Sequence, residues 1–242
     1  MRLKLRRSRA ATWRRRVGAR GVIISLLPLN LPDHAAATIL EQAKWVARRM
    51  KRTDFATIAE CPAALARAIN EVDGLFCKLA TPNLGGNGNA IVVNTRKIDN
   101  VKFSDYPISF KANSGDSYTL HMARVTATKG GVKITVDGIH APSRGRYKTS
   151  APDGAREHVF NVIGDKTPEN TDVHLVAGDT NWTVRQVTHA LQVSNRRWRH
   201  VGGSGVEQVY AIGVTDLGQR TLKYGRASDH QTTARVKIGA AA

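Results

Sequence analysis

Apart from Ser25, residues Val22 to Leu27 form one apolar run, the pattern of a central strand covered on both faces. Pro28 is expected to stop that strand, which sets Asn30 just past its end. From Ala35 to Arg52, Ile39, Leu40, Ala43, Val46, Ala47 and Met50 recur at helical spacing, with Asp33 as candidate N-cap. Lys44, Arg48, Arg49 and Lys51 fall largely on the other faces of this helix. Asp54 to Ala59 reads as a short strand, and Pro62 suits the first turn of a second helix ending near Val72. Glu60 therefore also sits at a strand end. Beyond Gly74 the period shortens, giving strands over Leu75 to Leu79, Ala90 to Val93, Tyr118 to Ala127 and Val132 to Ile139. Lys129-Gly130-Gly131 joins the last two as a hairpin, and His140 follows directly. Ala141 to Gly154 reads as an exposed, mobile loop that carries Arg144, Arg146 and Lys148. Helices over Glu157 to Ile163 and Val184 to Val193, and strands over Val173 to Ala177, Val206 to Val214 and Thr233 to Ile238, complete the pattern.

Two short boxes carry the chemistry. Gly178-Asp179-Thr180-Asn181 ends the apolar run Val173 to Ala177. In an extended segment residues i and i+2 share a face, so Asp179 and Asn181 are expected to enter one cleft from the pleat. A carboxylate and a carboxamide so paired can position a water and hold a phosphoryl oxygen. Ser228-Asp229-His230 puts a second carboxylate beside an imidazole just before the last strand. Together the boxes suggest hydrolysis of a phosphate ester. Asn30, Glu60 and His140 share the strand-end position, and such residues converge on one face of a fold. A lone strand-end polar residue is more often a turn or cap, so the weight lies on the set.

The 242 residues carry a net charge of +18, which favours polyanionic partners, nucleic acid first and an anionic membrane surface behind it. Nine of those charges, Arg2, Lys4, Arg6, Arg7, Arg9, Arg14, Arg15, Arg16 and Arg20, lie within residues 1–20, where no Asp or Glu offsets them. This arm is either a solvated tail or a grip on phosphate backbone. The expected organisation is a basic arm over 1–20 and one catalytic domain over 21–242. Gly21 to Leu31 is too short to span a bilayer and lacks a small-residue cleavage site, so a cytoplasmic protein without membrane or obligate protein partners is expected. Cys61 and Cys77 have neither CxxC spacing nor nearby histidines, which points to reduced, partly buried thiols rather than a disulfide framework or zinc site. Trp198 among Arg196, Arg197 and Arg199 is either a base-stacking residue flanked by phosphate contacts or the anchor of a solvated loop. His34, His121, His158, His174, His189 and His200 show no ligand spacing and are taken as surface or core residues.

The order of these motifs resembles the endonuclease/exonuclease/phosphatase superfamily from about Gly21 to Ile238. Asn30 looks like its first-strand Asn, and Glu60, closing Thr53 to Glu60, like its metal-binding Glu. Gly86-Asn87-Gly88-Asn89-Ala90-Ile91 resembles the glycine-rich approach to its third strand, and Ile139-His140-Ala141-Pro142 its strand-end His. Gly178 to Asn181 matches its GDxN box, and Ser228 to His230 its SDH box. Where the family has an Asp before the SDH box, this chain has Glu207, one methylene longer.

The resemblance implies an α+β fold, two packed mixed sheets flanked by helices in a four-layer α/β/β/α sandwich of the deoxyribonuclease I type. It implies Mg²⁺ or Mn²⁺ held by Asn30, Glu60 and Asp229, with catalysis by His140, Asp179, Asn181, Glu207 and His230. Either Asp179 or His230 takes the proton from the attacking water, His140 stabilises the pentacovalent state, and Glu207 orients His230. The activity implied is a metal-dependent nuclease with DNA favoured over RNA, and Arg144, Arg146, Lys148, Arg196, Arg197, Trp198 and Arg199 are the candidate nucleic-acid contacts. Two alternatives stand beside it: a phosphoesterase of the same superfamily acting on a small or lipid phosphate, and a catalytically weak nucleic-acid-binding protein. If the arm grips phosphate, deleting residues 1–20 flattens the salt dependence of nucleic-acid affinity, because each lost phosphate contact removes about 0.9 from the log–log slope. Fluorescence anisotropy over a salt series measures this, and an unchanged slope makes the arm a bystander.

Overall fold

Each apolar run that the sequence marks becomes a strand or helix in the computed structural model, which describes residues 22–31, 36–82, 87–111, 115–142, 152–204, 207–214, 216–221 and 232–238. In chain order the elements are β1 (Val22–Asn30), α1 (Ala36–Met50), β2 (Phe55–Cys61), α2 (Ala63–Asn70), β3 (Leu75–Leu79), β4 (Gly88–Asn94), β5 (Asp99–Lys111), β6 (Ser117–Lys129) and β7 (Val132–His140). There follow α3 (Pro152–Asp165), β8 (Val173–Asp179), α4 (Val184–Ser194), β9 (Arg199–Ser204), β10 (Glu207–Ile212), β11 (Asp216–Thr221) and β12 (Thr232–Ile238).

The strands form two six-stranded sheets, ordered β11-β12-β1-β2-β4-β3 and β5-β6-β7-β8-β10-β9. Within each sheet one parallel pair, β1 with β2 and β7 with β8, sits among antiparallel neighbours. A helix links the strands of each parallel pair, α1 in the first sheet and α3 in the second, as a parallel connection requires. The two parallel pairs lie against each other in the middle of the molecule.

Three apolar layers follow from side-chain alternation. Ile24, Leu26, Phe55 and Ile91 of the first sheet meet Val125, Val136, Leu175 and Val209 of the second. The opposite faces bury Leu27, Ala56 and Val92 under α1 and α2, and Leu120, Val176 and Tyr210 under α3 and α4. The architecture is the four-layer α/β/β/α sandwich expected from the sequence.

Several local expectations shift. Strand β1 continues through Pro28 to Asn30 rather than stopping. Among the described residues its ladder to β12 ends at Leu26, so proline's missing N–H breaks no described rung on that side. Helix α3 begins at Pro152, inside the segment read as a loop, with proline in the first turn where its lost N–H is harmless. Strands β5, β9 and β11 went unread, the first two because one face of each is polar or glycine-rich.

Two charged clusters brace the sheets, one between them and one across the second. Asp54 accepts from the Ser25 backbone N–H at 2.8 Å, the Ser25 hydroxyl at 2.9 Å and Lys129 Nζ at 2.7 Å. Lys129 belongs to β6, so this bond links the two sheets at the end where β2 begins. On the outer face of the second sheet, fully buried Asp137 receives Arg124 Nε at 2.6 Å and Nη2 at 2.7 Å, with His174 Nε2 at 2.8 Å. Burial alone would raise the Asp137 pKa, but His174 and Arg124 overcome it and hold the carboxyl at about 2.

That group contributes stability above its unfolded pKa of about 3.9, and the contribution is lost as pH falls through about 2. Urea melts of the wild type and Asp137→Asn should therefore differ by about 2 kcal/mol less at pH 2 than at pH 6. Asp137→Ala, which strands the Arg124 guanidinium and removes the partner of His174 Nε2, should cost about 3–5 kcal/mol at pH 7. A pH-independent difference would show that the carboxylate is not what holds the cluster.

Candidate functional site

The carboxyl ends of β1, β2, β7 and β8 lie at the same end of the two facing pairs, and each carries a polar residue where its strand leaves the sheet. Asn30 closes β1, pairing with Ala59 of β2. His140 closes β7 and pairs with Asp179 at the end of β8, which in turn pairs with Glu207 at the start of β10. One row, Glu207–Asp179–His140, therefore crosses the inner face of the second sheet, with Asn30 and Glu60 facing it from the first.

Local backbone aims these groups. Between Ile58 and Cys61, β2 gains one residue against β4, a bulge that re-aims the side chain it carries. Glu60 sits in that bulge with φ +53°, a left-handed conformation that non-glycine residues adopt at a cost of about 1–3 kcal/mol. Gly178 has φ +142°, and a Cβ there would lie 1.9 Å from the Ile139 carbonyl oxygen; only glycine lets β8 lie this close to β7. Asn181 has φ +48°, and its N–H donates to Asp179 Oδ1 at 2.9 Å. This is an Asx turn, so Asp179 and Asn181 meet by the chain folding back, not from one face of a pleat as the sequence suggests.

Asp179 is the hub. It is 5% exposed, and its Oδ2 accepts from Asn30 Nδ2 at 3.3 Å. His140 Nε2 stands 3.7 Å from the same oxygen, while His140 Nδ1 stands 3.7 Å from Glu60 Oε1. Burial pushes the Asp179 pKa up and the Glu60 charge adds to it, against the lowering effects of His140, the Asn181 N–H and Asn30. Asn181 Nδ2 donates to the Ala141 carbonyl at 3.0 Å and the Ala141 N–H to the Asp179 carbonyl at 2.8 Å, fixing the two strand-end loops together. Glu207 is buried beside this set at 3% exposure.

The structure thus brings together Asn30, Glu60, His140, Asp179, Asn181 and Glu207. Asp229, His230, Arg144, Arg146, Lys148 and the arm 1–20 lie outside the described residues. The base-stacking reading of Trp198 is overturned: the indole is fully buried, donates from Nε1 to the Gly164 carbonyl at 3.5 Å and packs edge-on to His174 at 5.0 Å. Arg196, Arg197 and Arg199 are exposed, but Arg199 pairs with Ala211, at the far end of β10 from Glu207, so these cations face away from the cleft.

Among the described residues no three His, Cys, Asp or Glu side chains cluster as a metal cage, and no helix is long and apolar enough to cross a membrane. The second sheet also holds a histidine, paired with Pro107 of β5, that the sequence reading set aside. His121 of β6 lies on the same inner face as Ala123 and Val125, beside the end of β7. Period-two counting would have found it once β5 was recognised as its partner.

No family model and no curated protein matches this sequence. Solved structures do match. A D. rerio TDP2 humanised by 14 mutations has a TM-score of 0.66 at 14% identity, covering 89% of this chain and 98% of the other. An endonuclease/exonuclease/phosphatase from Bacteroides vulgatus gives 0.68 at 11% identity, over 89% and 98%. D. rerio TDP2 complexed with a single-strand DNA product gives 0.64 at 14% identity, over 89% and 98%. The fold is therefore the deoxyribonuclease I-like fold of those proteins.

A carboxyl whose folded pKa is raised destabilises the fold when ionised, and that cost is present in full above the raised pKa and absent below both values. Asp179→Asn should accordingly melt at or above the wild-type temperature at pH 7, with the margin shrinking as pH falls into the carboxylate range. Calorimetry at pH 7 and pH 4 tests this; a large drop in Tm at pH 7 would make the Asp179 charge structural.

Proposed function

We propose that this chain hydrolyses phosphodiester bonds in DNA, with the cleft around Asp179 as its active site. The observation that carries the reading is the clasp on Asp179, whose carboxylate meets Asn30, His140 and Asn181 from three strand ends while Glu60 stands behind His140. The +18 charge and the single-strand DNA product in the D. rerio neighbour support a polymeric DNA substrate over a small phosphate ester.

The donor set fits a hard divalent cation. Asn30 spends its amide nitrogen on Asp179, which turns its oxygen toward any neighbouring cation. Glu60 keeps a third of its side chain exposed. One or two carboxylates with an amide oxygen suit Mg²⁺ or Mn²⁺, which retain several waters, and the motif resemblance assigns Asp229 as a further carboxylate. Bound there, the ion would neutralise charge on the phosphoryl group.

The chain's own groups do the rest. The Asn181 N–H and Asn30 hold Asp179 so that its carboxylate accepts a proton from the attacking water. Its raised pKa makes it a better base than an exposed aspartate. His140, between two carboxylates, offers an N–H to a phosphoryl oxygen where negative charge develops. Asn181 has one amide hydrogen committed to Ala141 and turns the remaining polar edge to the substrate. By the same resemblance His230 is assigned the second phosphoryl contact, with Glu207 assigned to orient it.

Supercoiled plasmid incubated with Mg²⁺ at low salt should be nicked, and EDTA should stop the reaction. Asp179→Ala and His140→Ala should each lose at least about 100-fold in rate while keeping the wild-type circular dichroism spectrum. Near-normal nicking by either folded variant would overturn the assignment.

A further inference from the structure

The cleft occupies one end of β2, and a second concave surface lies at the other. β2 spans seven residues, which sets the two about 20 Å apart. At this far end the last turns of α1 meet the turn from α2 to β3 and the end of β4 around a hollow of about 450 Å³.

The frame of the hollow is built. Asn94, 5% exposed, closes β4. Its Nδ2 donates to the Met50 carbonyl at 2.6 Å, its N–H to the Asp54 carbonyl at 3.0 Å, and its Oδ1 accepts the Arg96 N–H at 3.2 Å. The Thr95 N–H donates to the Gly74 carbonyl at 3.0 Å. Gly74 has φ +76°, and a Cβ there would lie 2.4 Å from Arg96 Nε, so a larger residue would push the guanidinium off this turn. Of the lining side chains, Ala47 and Leu75 are half-buried, whereas Lys44, Arg48, Lys51 and Arg96 are exposed.

Charge in the hollow is one-sided. Lys44, Arg48 and Lys51 follow at four- and three-residue spacing along one side of α1 and its exit, and like charges at that spacing repel. Among the described residues none of the three is ion-paired. The carboxylates of α1 and of the turn between α2 and β3 are Glu41, Glu71 and Asp73, and Asp73 is already bound to Arg96. A bound anion removes the repulsion. A flat bilayer matches poorly, because a helix lying on a membrane presents a broad apolar face and Leu40 is the one large apolar side chain exposed on α1 among the described residues. A concave groove with successive cations fits a ridge of phosphates.

We infer that this groove is a second nucleic-acid site, which grips the phosphate backbone of the substrate at the end of the fold opposite the cleft. The inference takes its substrate from the nuclease reading of the cleft. One DNA is then held at two places, and since 20 Å corresponds to about six nucleotides of a strand, a shorter substrate engages the cleft alone.

The test is anisotropy in EDTA, over a salt series, of a labelled duplex of about 40 base pairs, long enough to span both sites. The full-length wild type is compared with Lys44→Ala/Arg48→Ala/Lys51→Ala. Each lost phosphate contact lowers the log–log slope by about 0.9, so this variant should lose about 2–3 in slope and at least about tenfold in affinity at low salt. Lys166→Ala/Arg196→Ala/Arg197→Ala removes the same charge from the α3–α4 side and should lose less than half as much. Equal losses in the two variants overturn the site, as does an unchanged slope in the folded groove variant or a wild type that does not bind the duplex. Binding to phosphatidylserine vesicles that disappears in the groove variant, with duplex binding intact, makes the groove a membrane contact and also overturns it. Hydrolysis of bis(p-nitrophenyl) phosphate with Mg²⁺ tests the cleft separately, because that small ester does not reach the groove. Its loss in the groove variant alone overturns the second site; its absence in the wild type ends the nuclease reading, and the anisotropy comparison still decides the groove.

Discussion

Everything in this molecule depends on two parallel strand pairs packing face to face with their carboxyl ends together. The contact is tight. A Cβ at Gly138 of β7 would meet Ile91 at 3.2 Å, the Ala90 carbonyl at 3.3 Å and Thr57 at 3.4 Å across the sheets. Ligands in open α/β sheets bind beyond the carboxyl ends of the strands, and here two such ends face each other. Asn30, Glu60, His140 and Asp179 converge because of where their strands stop, and no long loop is needed to bring them in.

Buried charge separates structural from chemical duty. Asp137 and Asp179 are both buried carboxylates on the second sheet, but on opposite faces. Asp137, between Arg124 and His174, is held well below the ordinary range, so its charge supports the fold. Asp179, beside Glu60 and only partly compensated, is pushed above it. A carboxylate kept costly inside a cleft suits the proton transfer proposed for Asp179.

Much of this was legible in the sequence, and the losses have physical reasons. Short, mainly apolar runs such as Val173 to Ala177, bounded by turn residues and rich in valine, read as covered strands, so the central elements and their polar ends stood out. Asp179 and Asn181 were found for a reason that proved incomplete, since a left-handed turn, not a pleat, brings them together. Strand β5 was hidden because its inner face past the cleft is polar, and with it the partner that gives His121 an address. Trp198 misled because three neighbouring arginines look like a binding patch, whereas the indole serves the layer between β8, α3 and α4. Sequence neighbours in a turn need not share an environment.

The backbone at Glu60 and Asn181 and the ionisation of Asp179 all run against folding stability. Mutational scans scored only for thermal resistance usually mark important positions by the damage that substitution does. At Glu60, glycine would relieve the left-handed strain, and at Asp179 an amide would remove a disfavoured charge. In such a scan the centre of this cleft would stand out as the place where change is welcome, and an engineer selecting for robustness alone would dismantle it first.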